Sequence, residues 1–95
     1  MKTSFYMKSS LYKIFKEQIN KKSFIDEIEV NENIIEENLL NDCKYLQLLR
    51  EEHTLVVIFI KSSLYKNIKE FKSRTNFNQT EFINYLLYKK YLKDL

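Results

Sequence analysis

The stretch that decides the fold is Lys8-Ser9-Ser10-Leu11-Tyr12-Lys13, because the same residues return in the same order at positions 61–66. The register extends beyond the repeat, since the same offset places the aromatic and apolar residues 5–7 on residues 58–60. Each copy follows a short apolar or aromatic run and opens a segment with helical periodicity. The sequence therefore predicts an internal duplication of one small unit.

The second copy lies among the clearest secondary-structure signals of the chain. We predict a strand at about residues 54–60, a helix at about residues 62–74 and a last helix at about residues 79–93. Ser62 or Ser63 is the expected cap of the first helix, and Asn78 with Glu81 forms a variant capping box for the last. The positions expected to face inward are Leu64, Ile68, Phe71, Phe82, Ile83, Leu86 and Leu87.

The first half carries weaker signals of the same kind. Its predicted elements are a strand, a helix, a loop and a long helix, at about residues 3–7, 9–22, 23–30 and 31–52. Ser9 or Ser10 is the expected cap of the first helix, with Leu11, Phe15 and Ile19 on its inner face. A single short strand leaves both backbone edges unpaired, so each predicted strand must find another.

Composition limits the class of protein. The chain has 95 residues, of which 44% are hydrophobic and 31% are charged, as in globular soluble proteins. This length allows one compact domain or two very small interlocked units. The longest apolar run, residues 55–60, is far shorter than the roughly 20 residues that span a membrane, and the N-terminus lacks a signal-peptide core. We therefore expect a cytoplasmic protein with no membrane partner.

Residue usage also argues against catalysis. Cys43 is the only cysteine and His53 is the only histidine. We expect Cys43 to be a buried apolar filler and His53 to be a solvated residue at a helix end. With no glycine, the chain cannot form a glycine-rich phosphate loop. We therefore expect no enzyme activity, no catalytic residue, no metal site and no cofactor.

Charge is unevenly placed along the chain. The net charge is +3, but residues 1–22 and 54–95 are basic, whereas residues 23–53 are acidic. Two basic segments around an acidic one favour an anionic partner for the basic parts. Solvated helix faces would give the same pattern, and charge alone does not separate the two interpretations.

The order of elements over residues 55–92 resembles the ribbon-helix-helix superfamily, the DNA-binding fold of CopG, Arc and related repressors. The residues that carry the resemblance are the apolar strand 55–60, the capping Ser62 and Ser63, the turn Asn76-Phe77-Asn78 and the helix start Gln79-Thr80-Glu81. Residues 3–50 resemble a diverged second copy with a longer, acidic inter-helix segment. In that copy Gln18 replaces the apolar residue aligned with Phe71.

The resemblance implies a mainly α fold with a short β-ribbon. TraY-like members of the superfamily carry two copies in one chain, so we expect a tandem ribbon-helix-helix protein that forms a single-chain pseudodimer. The two units would be residues 1–52 and 53–95, interlocked in one globular domain. A two-stranded β-ribbon fits the DNA major groove and reads base edges with its outward side chains.

Strand alternation identifies those outward side chains. The residues expected to face the helices are Phe5, Met7, Val56, Ile58 and Ile60. The base contacts that the resemblance then implies come from Lys2, Ser4, Tyr6, Val57 and Phe59, with Leu55 in the same row. The first strand offers hydrogen-bonding groups, whereas the second offers only apolar contacts, such as with thymine methyl groups. The alternative is that the second strand is buried on both faces, against another subunit.

Phosphate contacts are implied at the start of the family's second helix, where free amide groups favour an anion. Asn78, Gln79 and Thr80 occupy that position, and Lys8 and Lys61, just after each strand, are placed to add charge. A solvated side chain is the alternative for each lysine. The corresponding helix start in the first half is acidic, so DNA contacts should be stronger through the second unit.

Two functions follow as expectations. The first is a DNA-binding transcriptional regulator, similar to a repressor, whose partner is double-stranded DNA. The second is a protein-interaction or antitoxin-like oligomerisation module on the same scaffold, with little or no DNA binding. In that case Leu55, Val57 and Phe59 would contact a protein partner or a second copy of the chain.

Overall fold

The computed structural model describes residues 1–28, 43–74 and 78–93. Its strands are β1 (Lys2–Lys8) and β2 (His53–Phe59). The helices of the described residues are α1 (Ser9–Lys16), α2 (Lys21–Asp26), α3 (Cys43–Leu49), α4 (Ser62–Arg74) and α5 (Gln79–Tyr91). Both copies of the repeated stretch therefore lie where a strand passes into a helix.

The two strands pair with each other in an antiparallel ribbon. Ser4 lies opposite Val57 and Phe5 lies opposite Val56. At one end Met1 and Ile60 exchange two backbone hydrogen bonds, each 2.8 Å long. The pairing that each predicted strand needs is thus made within one chain.

The alternation predicted for the ribbon is confirmed. Along β1 the side chains are alternately exposed and buried, with Phe5 1% and Met7 0% exposed. Along β2, Val56 is buried and Ile58 is half-buried, and Ile60 beyond the strand is buried as well. Since successive side chains of a strand point to opposite faces, the intervening residues form an outward row.

The core lies between the inner face of the ribbon and the helices. It is centred on α5, in which every residue from Phe82 to Tyr88 is buried. The other core side chains of the described residues include Leu11, Phe15, Phe24, Ile25, Ile28, Tyr45, Leu48, Leu64, Ile68 and Phe71. Aromatic pairs join the two halves, since Phe24 stacks on Tyr91 with 4.1 Å between ring centroids, and the Tyr91 hydroxyl donates to the Phe24 carbonyl oxygen at 2.6 Å.

The second half matches the predicted elements closely. The α4 helix spans Ser62–Arg74 with its three predicted inner residues buried, and α5 begins at Gln79. The side-chain oxygen of Asn78 accepts from the Glu81 N–H at 2.8 Å, as the capping box requires. The α5 helix ends at Tyr91 rather than Lys93. Residues 75–77 lie outside the described residues, so of the predicted turn only Asn78 is described.

The first half differs from the prediction. The α1 helix ends at Lys16, and α2 occupies part of the predicted loop. The reason is Asn20, whose side chain accepts from the Ser23 N–H at 3.1 Å and starts a new helix. Ile19 is therefore 105% exposed instead of lying on an inner helix face.

The long helix predicted for residues 31–52 is described only from Cys43 onward, where it ends at Leu49. It ends early because the next residues bind the start of α1: the Glu52 carbonyl oxygen accepts from the Ser9 N–H at 2.9 Å. Cys43 is exposed rather than buried, so the prediction of a buried apolar filler is wrong. His53 is exposed as expected, but it begins β2 instead of ending a helix.

At the starts of α1 and α4, carboxylates accept the backbone hydrogen bonds that the sequence predicts for capping serines. Lys8 is the N-terminal cap residue of α1 and makes no side-chain cap bond, whereas Ser10 lies within the helix. The Glu51 carboxylate accepts from the Ser10 N–H at 2.7 Å and from its hydroxyl. At the start of α4, the Asp26 carboxylate accepts from the Lys61 N–H at 2.8 Å. An anion at either position favours the positive end of the helix dipole.

Asp26 also forms an ion pair with Lys22. Burial raises the pKa of Asp26, but the hydrogen bonds from Lys22 and from the Lys61 N–H, together with both positive charges, outweigh burial and hold its pKa below the usual value of 3.8. Asp26 therefore links α2 to α4 most strongly in its ionised form.

Polar side chains of α5 close the outer edge of β1. The Asn84 side chain, 1% exposed, accepts from the Lys8 N–H at 3.0 Å and donates to the Tyr6 carbonyl oxygen at 2.6 Å. The Thr80 hydroxyl oxygen accepts from the Tyr6 N–H at 3.3 Å, and Gln79 donates to the Ser4 carbonyl oxygen at 3.1 Å. These side chains satisfy backbone groups that a third strand would otherwise have to satisfy.

We predict that Asn84→Ala lowers the free energy of unfolding by about 1 to 3 kcal/mol, because it leaves a partly buried N–H and a partly buried C=O of β1 without their side-chain partner. Urea unfolding followed by circular dichroism measures the change. Asn67→Ala, at an exposed position of α4, is the matched control and should change stability by less than about 0.5 kcal/mol. Equal effects of the two variants would contradict the edge-closing role of Asn84.

We predict that Asp26→Asn lowers stability by about 0.5 to 1 kcal/mol at neutral pH. Because the pKa of Asp26 is lowered in the folded state, its contribution is complete above the unfolded value of 3.8 and is lost as the pH falls through the lower folded value. Unfolding curves of both proteins between about pH 7 and pH 3 should converge at the acid end. A difference that stays constant, or grows, on acidification would contradict this role.

Candidate nucleic-acid interface

The outward row of the ribbon consists of six side chains: Lys2, Ser4 and Tyr6 on β1, and Leu55, Val57 and Phe59 on β2. All six are exposed. The apolar members are 53%, 54% and 62% exposed, in the order of the chain, so β2 is not buried on both faces by the described residues. The structure thus brings the predicted base-contact residues together on one surface.

Polar and apolar residues face each other across this row. Lys2 lies opposite Phe59, Ser4 opposite Val57, and Tyr6 opposite Leu55. The ammonium and the two hydroxyl groups of β1 can bond to base edges, whereas the β2 side chains can only pack on apolar groups. The row therefore has one hydrogen-bonding side and one apolar side.

His53 also belongs to this surface. The prediction from sequence did not place it there. Its ring packs edge-on against Tyr6, with 4.8 Å between the ring centroids. It lies opposite Lys8 in the ribbon and is exposed. Continuing the strand alternation two residues back from Leu55 would have placed it in the outward row.

The side chain of Lys8 is hydrogen-bonded within the fold. Its ammonium donates to the carbonyl oxygens of Leu49 and Glu51, each at 3.0 Å. These carbonyls lie at and just beyond the end of α3, where a cation is favoured. A phosphate contact from Lys8 would have to compete with both bonds.

Lys61 has an exposed side chain, but its surroundings are less positive than the sequence indicates. Its backbone N–H is bound by the Asp26 carboxylate at the start of α4. That carboxylate is itself paired with Lys22. The ammonium of Lys61 remains exposed at the end of the ribbon, where it can reach an anion.

The start of α5 lies beside the ribbon. Asn78 caps the helix, whereas the side chains of Gln79 and Thr80 are bound to β1. Any phosphate bound at this end would therefore meet the backbone N–H groups of the first turn rather than these side chains. Glu81, exposed in the same turn, opposes an anion there.

A cleft of about 560 Å³ separates the start of α5 from the outward row. Tyr6 and His53 line its ribbon side, and Lys72 from the last turn of α4 lines it as well. Lys72 is exposed, and no sequence motif distinguishes it from the other lysines of that helix. It adds a positive charge to a cleft that the acidic Glu81 also lines.

Besides Asp26, two tyrosines have shifted pKa values, Tyr45 in the core and the partly buried Tyr91. Burial, together with the nearby negative charge of Glu81, raises the pKa of Tyr45 to about 12. Burial and Glu27 also raise the pKa of Tyr91. Within residues 1–28, 43–74 and 78–93, no group of three or more His, Cys, Asp or Glu side chains could hold a metal ion. None of the described helices is long and apolar enough to cross a membrane.

Comparison with known proteins gives no relative for this chain. No protein-family model, no curated protein and no solved structure matches it. The residues and contacts described above are therefore the basis for a functional proposal.

We predict that Lys8→Ala lowers the free energy of unfolding by about 1 kcal/mol or more, because it removes two charge-assisted hydrogen bonds. Lys2→Ala, in the same strand with an exposed side chain, should change stability by less than about 0.5 kcal/mol. Thermal and urea unfolding of the two variants measure the difference. If Lys8→Ala is as stable as Lys2→Ala, the Lys8 ammonium is not holding the end of α3.

Proposed function

We propose that the chain is a DNA-binding transcriptional regulator that inserts its β-ribbon into the major groove. The observation that carries the proposal is the outward row, six exposed side chains on a two-stranded antiparallel ribbon formed by one chain. A two-stranded ribbon is one of the few protein elements that the major groove admits. The proposed regulator acts in the cytoplasm and has no enzyme activity.

The register of the ribbon supports a pseudodimer of two ribbon-helix-helix units, residues 1–52 and 53–95. Ser4 lies opposite Val57. The offset that places Lys8 on Lys61 also places Ser4 on Val57. A residue that pairs with its own counterpart marks the axis of a two-fold symmetric ribbon, as in an isologous dimer.

The proposed base contacts divide by strand. Lys2, Ser4 and Tyr6 would bond to base edges, whereas Val57 and Phe59 would contact thymine methyl groups. Because the two strands of the pseudodimer differ in chemistry, the preferred DNA site should be asymmetric. This asymmetry distinguishes the proposal from a symmetric dimer, whose operator mirrors its two-fold axis.

The proposed phosphate contacts come mainly from the second unit. Lys61 supplies an exposed ammonium, and the first turn of α5 supplies backbone N–H groups at Gln79 and Thr80. Lys72 can add a further charge from the neighbouring cleft. Lys8 would contribute less, because its ammonium is held by carbonyl oxygens.

A protein-interaction module is the second candidate function. The observation that favours it is the exposure of Leu55, Val57 and Phe59, three large apolar side chains in one row. Such a row on a folded surface is typical of a binding site for another protein. In this case the chain would bind a protein partner or a second copy and have little affinity for DNA.

We predict that the full chain retains duplexes from a random DNA pool in a mobility-shift experiment at about 50 mM salt, where phosphate contacts are strongest. Ser4→Ala should relax the selected sequence preference, because the exposed hydroxyl is the group that reads a base edge. Lys61→Ala should weaken binding to all sequences alike and reduce the salt dependence by about one ion.

Lys66→Ala, at an exposed position of α4, is the matched control and should change neither property. If no duplex is retained at low salt, the DNA-binding proposal is wrong. If Ser4→Ala leaves the DNA sequence preference unchanged, Ser4 does not contact a base.

A further inference from the structure

The two edges of the ribbon differ. The exchange of hydrogen bonds between Met1 and Ile60, and the bond from Ser9 to Glu52, fix which backbone groups of β2 point toward β1. By the alternation of an antiparallel ladder, the N–H and C=O groups of Leu55, Val57 and Phe59 point away from β1. No described residue bonds to them, whereas side chains of α5 close the corresponding edge of β1.

A groove runs along the open edge of β2. It has a volume of about 490 Å³, and its strand wall consists of the five consecutive residues from Leu55 to Phe59. Consecutive residues of a strand point to opposite faces, so a groove lined by all five must follow the edge rather than one face. Its other wall consists of Tyr12, Phe15, Lys21 and Lys22.

The charge beside this groove is positive. Lys22 is paired with Asp26, whereas the bond that Lys21 makes to a described residue goes to the neutral Gln18 carbonyl oxygen, and its ammonium lies 6.0 Å from the centroid of the Phe15 ring. Within residues 1–28, 43–74 and 78–93, the groove is lined by two lysines and by no acidic side chain. Lys61, two residues beyond the last residue of β2, also has an exposed side chain.

We infer that the open edge of β2 binds an extended acidic segment of a partner protein as a third strand of the ribbon. The segment bonds through its backbone to Leu55, Val57 and Phe59, as in other cases of strand addition. Its apolar side chains, on one face of the added strand, pack along the apolar side of the outward row, and the alternate side chains point toward the wall formed by Tyr12, Lys21 and Lys22. Its acidic side chains lie near Lys21.

A second copy of the chain fits this edge less well than an acidic segment. Antiparallel pairing of two β2 edges about Val57 would bring a second Lys21 to a groove whose described lining is already positive. Like charges brought together in this way are destabilising, and lysine near an edge is a common means of preventing self-association.

The inference does not depend on DNA binding, because the bonds come from edge groups and not from the base-reading side chains. It is tested with a fluorescent synthetic peptide of alternating valine and glutamate residues, titrated into the full chain. Anisotropy should show saturable binding, and hydrogen exchange at the amides of Leu55, Val57 and Phe59 should slow about ten-fold or more.

Val57→Pro should abolish peptide binding, because proline removes an edge N–H that the pairing with β1 does not use. Val57→Thr, which keeps that N–H, is the control and should bind. Circular dichroism establishes whether the proline variant is folded. A folded Val57→Pro variant that binds the peptide unchanged would overturn the inference.

A charge exchange tests the chemistry of the partner without changing the strand. Lys21→Glu should weaken binding of the glutamate peptide about ten-fold and favour a peptide in which lysine replaces glutamate. Lys66→Glu, outside the groove lining, should do neither. The inference fails if neither peptide binds at millimolar concentration, if Lys21→Glu has no effect, or if sedimentation shows that the free chain already pairs through Val57.

Discussion

The closing of one ribbon edge by the buried amide of Asn84 is the interaction on which the rest of the structure depends. A two-stranded ribbon has no neighbouring strand on either side, so the outward backbone groups of β1 need partners from elsewhere. Asn84 accepts an N–H from Lys8 and donates to the carbonyl oxygen of Tyr6, which is the pattern of a neighbouring strand. These bonds fix α5 against the ribbon and bring its first turn beside the outward row.

The contrast between the two edges relates structure to both proposed activities. With the edge of β1 closed, the helices pack under the inner face and leave the outward row exposed, as a groove-reading ribbon requires. No residue in the described part of the chain bonds to the outward backbone groups of β2, which lie beside a groove lined by Lys21 and Lys22. The two proposals therefore use different parts of the ribbon, the outward row for nucleic acid and the edge of β2 for a peptide strand.

Much of this arrangement could be predicted from local patterns. The repeated stretch located both strand-to-helix junctions, and period-two alternation correctly assigned the inner and outer faces of the ribbon. The break at Asn20 was missed because an Asx cap and a polar residue within a helix look alike in sequence. Asn84 and Lys8 could not be assigned, because their roles depend on distant backbone groups that only the folded chain brings near.

The central claim is that the outward row of the ribbon contacts duplex DNA. The most direct test is to titrate the full chain with a duplex that it retains from a random DNA pool. Amide chemical shifts then show which residues contact the DNA. The account predicts that the largest shifts fall on Lys2–Lys8 and His53–Phe59, with smaller shifts at the first turn of α5. Shifts confined to the far side of the helices, or their absence at saturating DNA, would contradict it.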